Sequence, residues 1–193
     1  MPISERVLQG KPLPGLLAAW VFIYIAFLEF TFFFAVFLVA KATHTDDFHQ
    51  HTEHLNLYAG LANTLVLITS SLFVALAMQA IKEGNRNQCL LFFYLTMFCG
   101  LTYIGIKGYE YLWNQEMGIT VRANPFYAVY YYITFNHLLH VLTGTCLMGL
   151  MILCLHLNVF DRENHEGLES AACYWHMIDL IWIIIFPLVY VLR

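Results

Sequence analysis

The sequence predicts an all-α integral membrane protein, a bundle of five transmembrane helices forming one domain over residues 1–193. Three observations predict it. Of the 193 residues 60% are hydrophobic, and only 11% are Asp, Glu, Lys or Arg, whereas a soluble domain carries about 25% charged residues. The mean hydropathy of +0.65 leaves too little polar surface to cover a water-soluble globule. The apolar residues also fall in five continuous runs, each near the roughly 20 residues that a helix needs to cross about 30 Å of hydrocarbon.

The first run, Leu16–Ala40, follows a polar start that holds Pro2, Pro12 and Pro14. It is too long for a signal-peptide core and reads as a retained helix. With no cleavable leader and no Arg- and Ser-rich transit segment, the chain reads as bacterial or organelle-encoded. The second and third runs are Leu57–Ala80 and Cys89–Trp113. The fourth, Phe126–Leu155, exceeds what a span requires, which predicts tilt or an extension into the headgroups. The fifth is Ala171–Leu192. All five are continuous, whereas a barrel strand would alternate over about 10 residues.

The net charge of −4 and the lack of a basic stripe exclude nucleic-acid binding. Loop cations set the expected orientation. Arg6, Lys11, Lys82, Arg86 and Arg162 fall on one side, and Lys41, Arg122 and Arg193 on the other, so the N-terminus is expected inside and the C-terminus outside. Cys89, Cys99, Cys146, Cys154 and Cys173 lie in or at the ends of spans without C-x-x-C spacing. They read as small apolar packers rather than a disulfide framework.

Polar groups inside hydrocarbon need a reason. Glu29 lies near the middle of the first span, where even lenient insertion scales charge about 2.5–3.5 kcal/mol for an ionised acid. It is either a neutral carboxyl bonded to another helix or a carboxyl near a proton path in a partner. Lys107 and Glu110, three apart on the third helix, either neutralise each other or snorkel outward. Thr134, His137 and His140 share a stripe of the fourth helix that runs on to Gly144. Glu169, His176 and Asp179 share one on the fifth. Asn63, Thr64, Thr69, Ser70 and Ser71, with Gly100, Gly105 and Gly108, are the small residues that membrane helices use to approach closely.

Metal and haem sites are weighed from the same residues. The loop His44–His54 carries His44, Asp46, Asp47, His49, His51, Glu53 and His54, in a spacing that fits no standard metal motif. It reads as a solvated loop. Counting from the connection between the last two helices places His140 about 15 Å deeper than His176, at 1.5 Å per residue, too far apart for bis-His haem ligation. No P-loop, catalytic triad or Gly-rich nucleotide fingerprint occurs. The chain is expected to hold no redox centre and no metal.

The polar residues together carry a resemblance. The stretch Glu169-Ser-Ala-Ala-Cys173-Tyr174-Trp175-His176-Met-Ile-Asp179-Leu-Ile-Trp182 resembles the E-x-x-x-x-Y-W-H-x-x-D-x-x-W signature of the subunit III family of haem-copper oxidases. Thr134-Phe-Asn-His137-Leu-Leu-His140-Val141-Leu-Thr-Gly144 is similar to its T-G-x-H-x-x-H-V-x-x-G segment. Asn63-Thr64, Glu110-Tyr111, and Glu29 followed by Phe32-Phe33 match three further family features in order. The chain departs by lacking the first two of seven helices, by Phe135-Asn136 where Gly is usual, and by Cys173 in place of an aromatic. The five-helix form is similar to that of bacterial quinol oxidases and of the subunit-III-like protein associated with nitric oxide reductase.

The resemblance implies a non-redox subunit of the bacterial cytoplasmic membrane. It would pack on a catalytic subunit that holds haem and copper, bind phospholipid, and support proton uptake and stability in that neighbour. It implies that Glu29 is the functional intramembrane carboxyl. Asn63, Glu110, His137, His140, Glu169, Trp175, His176 and Asp179 would form the polar interior or contact lipid. An accessory role in nitric oxide reduction is the alternative. A free-standing proton-coupled transporter is a remote one, since the sequence shows neither inverted repeats nor broken midplane helices.

Overall fold

The computed structural model describes residues 15–44 and 55–191. Five helices follow one another: α1 Leu17–Thr43, α2 Leu57–Lys82, α3 Arg86–Glu116, α4 Pro125–His156 and α5 Glu166–Phe186. A π-helical turn, Pro187–Val191, extends the last. Each of the five is long and apolar enough to span a membrane. The helices overrun the apolar runs, most clearly in α3, whose 31 residues extend about 46 Å.

The caps explain several boundaries. Asn56, Asn85 and Asn124 precede α2, α3 and α4, and each accepts a backbone N–H from three residues on, satisfying one orphan donor. Pro125 then occupies the first turn of α4, where its missing N–H costs nothing. Gly84, at φ +79°, makes the tight turn between α2 and α3 that a Cβ would strain. Pro187 cannot donate to the helix ladder, and the chain widens there into the π turn.

Burial follows a spacing of three and four. On α3 the buried positions are Cys89, Phe93, Thr96, Gly100, Tyr103, Lys107, Glu110 and Asn114. On α2 they include Gly60, Asn63, Leu67, Ser70, Val74, Ala77 and Ile81. This is the seam of left-handed helix packing. Helices α2 to α5 close a ring, each touching its chain neighbours and α5 touching α2, while α1 packs outside it on α4 and α5.

The small residues do not act alike. A Cβ on Gly100 would lie 2.9 Å from the Trp175 ring, and one on Gly144 would lie 2.8 Å from Ile178. Gly105 and Gly108 face open space, which corrects the expectation that all three α3 glycines permit close approach. The cysteines are free, yet only Cys89 is fully buried and Cys146 is exposed, so the packing role does not extend to all five.

Candidate functional site

The expected single polar interior is divided among separate clusters. Deepest is a cage built on α3. Lys107 Nζ lies 3.0 Å from Glu110 Oε2, both side chains fully buried. Tyr190, carried by the π turn, bonds Lys107 at 2.6 Å and Glu110 at 2.7 Å. Tyr130 donates to Glu110 at 2.8 Å and accepts from Asn114. The rings of Tyr111, Tyr130, Trp182 and Tyr190 stand 5.0–5.5 Å from the ammonium, close enough for cation–π attraction. Mutual neutralisation is therefore what the structure adopts. Snorkelling outward is corrected: Lys107 has 0% exposure. Sequence reasoning missed Tyr130, Tyr190 and Asn114, although Tyr103, Lys107, Glu110 and Asn114 already mark one helical stripe.

His137 continues this core. Its Nε2 donates to the Ile178 carbonyl at 3.2 Å, because a carbonyl can only accept. Its Nδ1 therefore accepts from the Tyr103 hydroxyl at 3.0 Å in the neutral ring. The Trp182 ring packs on both, at centroid distances of 5.0 and 5.2 Å.

Glu29 belongs to a different cluster. Its carboxylate lies 3.5 Å from His140 Nε2, and its side chain is 37% exposed. The other nitrogen of His140 lies 3.0 Å from the Tyr174 hydroxyl. His140 thus ties α1, α4 and α5 at one level.

On the far side of α5, two tryptophans donate to hydroxyls of α2. Trp175 Nε1 bonds Ser70 Oγ and Trp182 Nε1 bonds Thr64 Oγ1, each at 2.9 Å, which fixes the register of the two helices. His176 Nδ1 lies 2.7 Å from Ser71 Oγ. Asp179 and Asn63 are buried, and among the described residues no side-chain oxygen or nitrogen of either makes a well-formed hydrogen bond.

Glu169 stands apart from these groups, at the start of α5. It pairs with Lys82 of α2 at 2.9 Å, lies 3.5 Å from His165, and accepts the Gly15 N–H at 3.2 Å. It binds the beginning of α1 to two other helix ends. Nearby, Arg86 donates to Asn158 and to the Leu155 carbonyl, joining the start of α3 to the end of α4. In the α4–α5 connection, backbone N–H groups of Asn164 and Glu163 donate to the Asp161 carboxylate and hold its pKa below the usual range.

The depth argument about haem needs correction. His137 reaches the Ile178 carbonyl, and Gly144 meets Trp175 and Ile178, so His140 and His176 sit at similar depth. The start of α5 at Glu166 rather than Ala171 removes about 7.5 Å of the mismatch found by counting residues from the connection, and the contacts between α4 and α5 show the rest to be absent. What separates the two histidines is direction: one turns to Glu29 on α1, the other to Ser71 on α2. Among the described residues no three His, Cys, Asp or Glu side chains gather as metal ligands. Of the His44–His54 loop, residues 45–54 lie outside the described residues.

Comparison with known proteins shows the family to which the chain belongs. The family profile described as cytochrome c oxidase subunit III matches residues 15–193. The chain is 34% identical over 128 residues to cytochrome c oxidase subunit 3 of Prototheca wickerhamii, covering 66% of this chain and 48% of that one. It is 32% identical over 173 residues to that of Thermostichus vulcanus, covering 89% and 84%. With Artemia franciscana the identity is 33% over 132 residues, 68% of this chain and 50% of the relative. The chain thus spans about half the length of several curated relatives and most of the Thermostichus one. With five spanning helices and a match that runs from the start of α1 to the C-terminus, the chain belongs to the cytochrome c oxidase subunit III family.

Proposed function

We propose that this chain is the non-redox subunit III of a respiratory haem-copper oxidase. It packs on the catalytic subunit, binds phospholipid, and supports proton uptake and stability while that neighbour reduces oxygen to water. The observation that carries the reading is the family match across residues 15–193. The geometry supports it. His137, His140 and His176 each bond to a neighbour within the bundle and tie its helices together, as a packing subunit requires.

Glu29 acts at the partner-facing or lipid-facing surface. It is the half-exposed carboxyl of the outermost helix, held by His140. Its neighbours Leu28 and Phe32 are exposed and apolar, as contact with acyl chains or another membrane subunit requires. The membrane is the bacterial cytoplasmic membrane, with the N-terminus inside and the C-terminus outside, a reading supported by the loop cations. The names of the relatives favour an oxygen-reducing partner over a nitric-oxide-reducing one.

The test is a reduced-minus-oxidised absorption spectrum of the protein purified gently from its native membrane, repeated after harsher detergent. Haem bands of an oxidase that vanish on stripping are the expected result. Bands that stay with the 22.4 kDa chain would make it a cytochrome and overturn the reading. Bands of a nitric oxide reductase would replace the partner.

A further inference from the structure

Between α2 and α5 two cavities, of about 470 and 550 Å³, share Ala75 and His176 in their walls and so form one groove. At one end it is bordered by Lys82, Glu83 and Glu169, the polar edge of the bundle. At the other it reaches Ser71 and Asp179, with Ile68 and Ile183 as apolar walls. Asp179 lies 13 residues into α5, about 20 Å from the helix start and well inside the hydrocarbon.

Asp179 is the one aspartate within the five helices. Its side chain is 5% exposed, and the Ser71 hydroxyl lies near enough to act on it, yet neither carboxyl oxygen makes a well-formed hydrogen bond among the described residues. An ionised carboxylate left unpaired in such surroundings costs several kcal/mol, a cost that a bound proton removes. Among the described residues no Lys or Arg side chain pairs with Asp179. Lys107 on α3 is committed to Glu110, and Cys99 is the titratable α3 side chain that faces Asp179. His137 on α4 turns to the Ile178 carbonyl, and Glu29 on α1 to His140. Tyr190 of the π turn is held by Lys107 and Glu110. What remains is His176, whose Nδ1 lies 4.0 Å from Asp179 Oδ2 and 2.7 Å from Ser71 Oγ.

We propose that Asp179 is a proton-binding site, separate from Glu29, which exchanges its proton with the groove through Ser71 and His176. The step is proton transfer alone. The carboxyl gives its proton toward the Ser71–His176 pair and takes one back from water entering between Lys82 and Ala75. Half-exposed His176, in the wall of both cavities, links the apolar end of the groove that holds Asp179 to its polar end at Lys82 and Glu169. The site belongs to this chain and does not depend on the identity of the catalytic partner.

Infrared spectroscopy tests it on the protein purified from its native membrane and reconstituted in lipid vesicles. Aspartate labelled with ¹³C at its side-chain carboxyl separates Asp179 from Glu29 and Glu110 without any substitution. The expected spectrum at neutral pH contains a carboxylic C=O band that moves with the label, disappears in Asp179→Asn, and shifts in D₂O as deuterium replaces the proton. Ala75→Phe fills the groove where the two cavities meet and should slow that shift several-fold. A spectrum without a protonated-aspartate band would overturn the proposal, and so would a band that ignores D₂O. An exchange rate unchanged by Ala75→Phe would overturn the groove as the route.

Discussion

Lys107 and Glu110 form an ion pair 3.0 Å long with neither side chain reaching the surface, and Tyr190 closes over both from the last turn of the chain. Of the two readings open from the sequence, mutual neutralisation or snorkelling outward, the structure adopts the first, and this helix face leads into the middle of the bundle. The pair also explains the fixing of the C-terminal turn, since Tyr190 finds there both an acceptor and a donor.

Breaking the pair from one side leaves a buried charge. Lys107→Met or Glu110→Gln alone should each cost about 3–5 kcal/mol, while the double substitution should recover much of that loss. Thermal unfolding in a mild detergent, run as a double-mutant cycle, measures it. Additive losses would mean that the two groups do not depend on each other.

Gly144 sets the approach of α4 to α5. A Cβ there would meet Ile178 at 2.8 Å and the Trp175 ring at 3.0 Å. Gly144→Ala should therefore destabilise by about 1–3 kcal/mol through overpacking. Gly105→Ala and Gly108→Ala meet open space and should be neutral, or stabilising by up to about 1 kcal/mol from helix propensity. Melting temperatures of the three variants give the comparison.

Glu29 is held at the outer helix by one histidine. Glu29→Ala should leave assembly intact, because α1 keeps its buried Ile23, Ala26, Phe30, Phe33 and Phe37 seam. Turnover durability of the partner oxidase should change instead. His140→Phe should reproduce the effect if the pair acts as a unit. The readout is the decay of oxygen consumption over many turnovers, alongside subunit content.

Asp161 lies outside the spans and responds to pH. Its carboxylate accepts from the Glu163 and Asn164 amides at 2.8 Å each, and its pKa is lowered by those bonds. A lowered folded value means that the contribution is present above the ordinary aspartate pKa. It is lost only as pH falls through the lowered one. The Glu163 and Asn164 amide resonances should titrate with a midpoint below that of an ordinary aspartate, and Asp161→Ala should abolish that titration.

Much was legible in the chain because membrane insertion is decided by local composition. Continuous apolar runs fix the number and type of elements, since no other backbone satisfies its hydrogen bonds in lipid without closing a barrel. The signature around Trp175, His176 and Asp179 likewise gave the family from sequence. Tertiary structure decided which polar residues meet. His137 and His140 lie three apart on one stripe, yet one is sealed against Tyr103 and Ile178 while the other opens toward Glu29. Glu169, on the same helix as Asp179, serves the polar edge rather than the interior. Depth and direction depend on helix starts, tilt and the neighbour that each face meets, and none of these is written in the spacing along a single helix. The heptad of α3 placed Lys107 and Glu110 on the inner seam, but only the arrival of Tyr130 from α4 and Tyr190 from the last turn made that seam a place where a charge pair can stay.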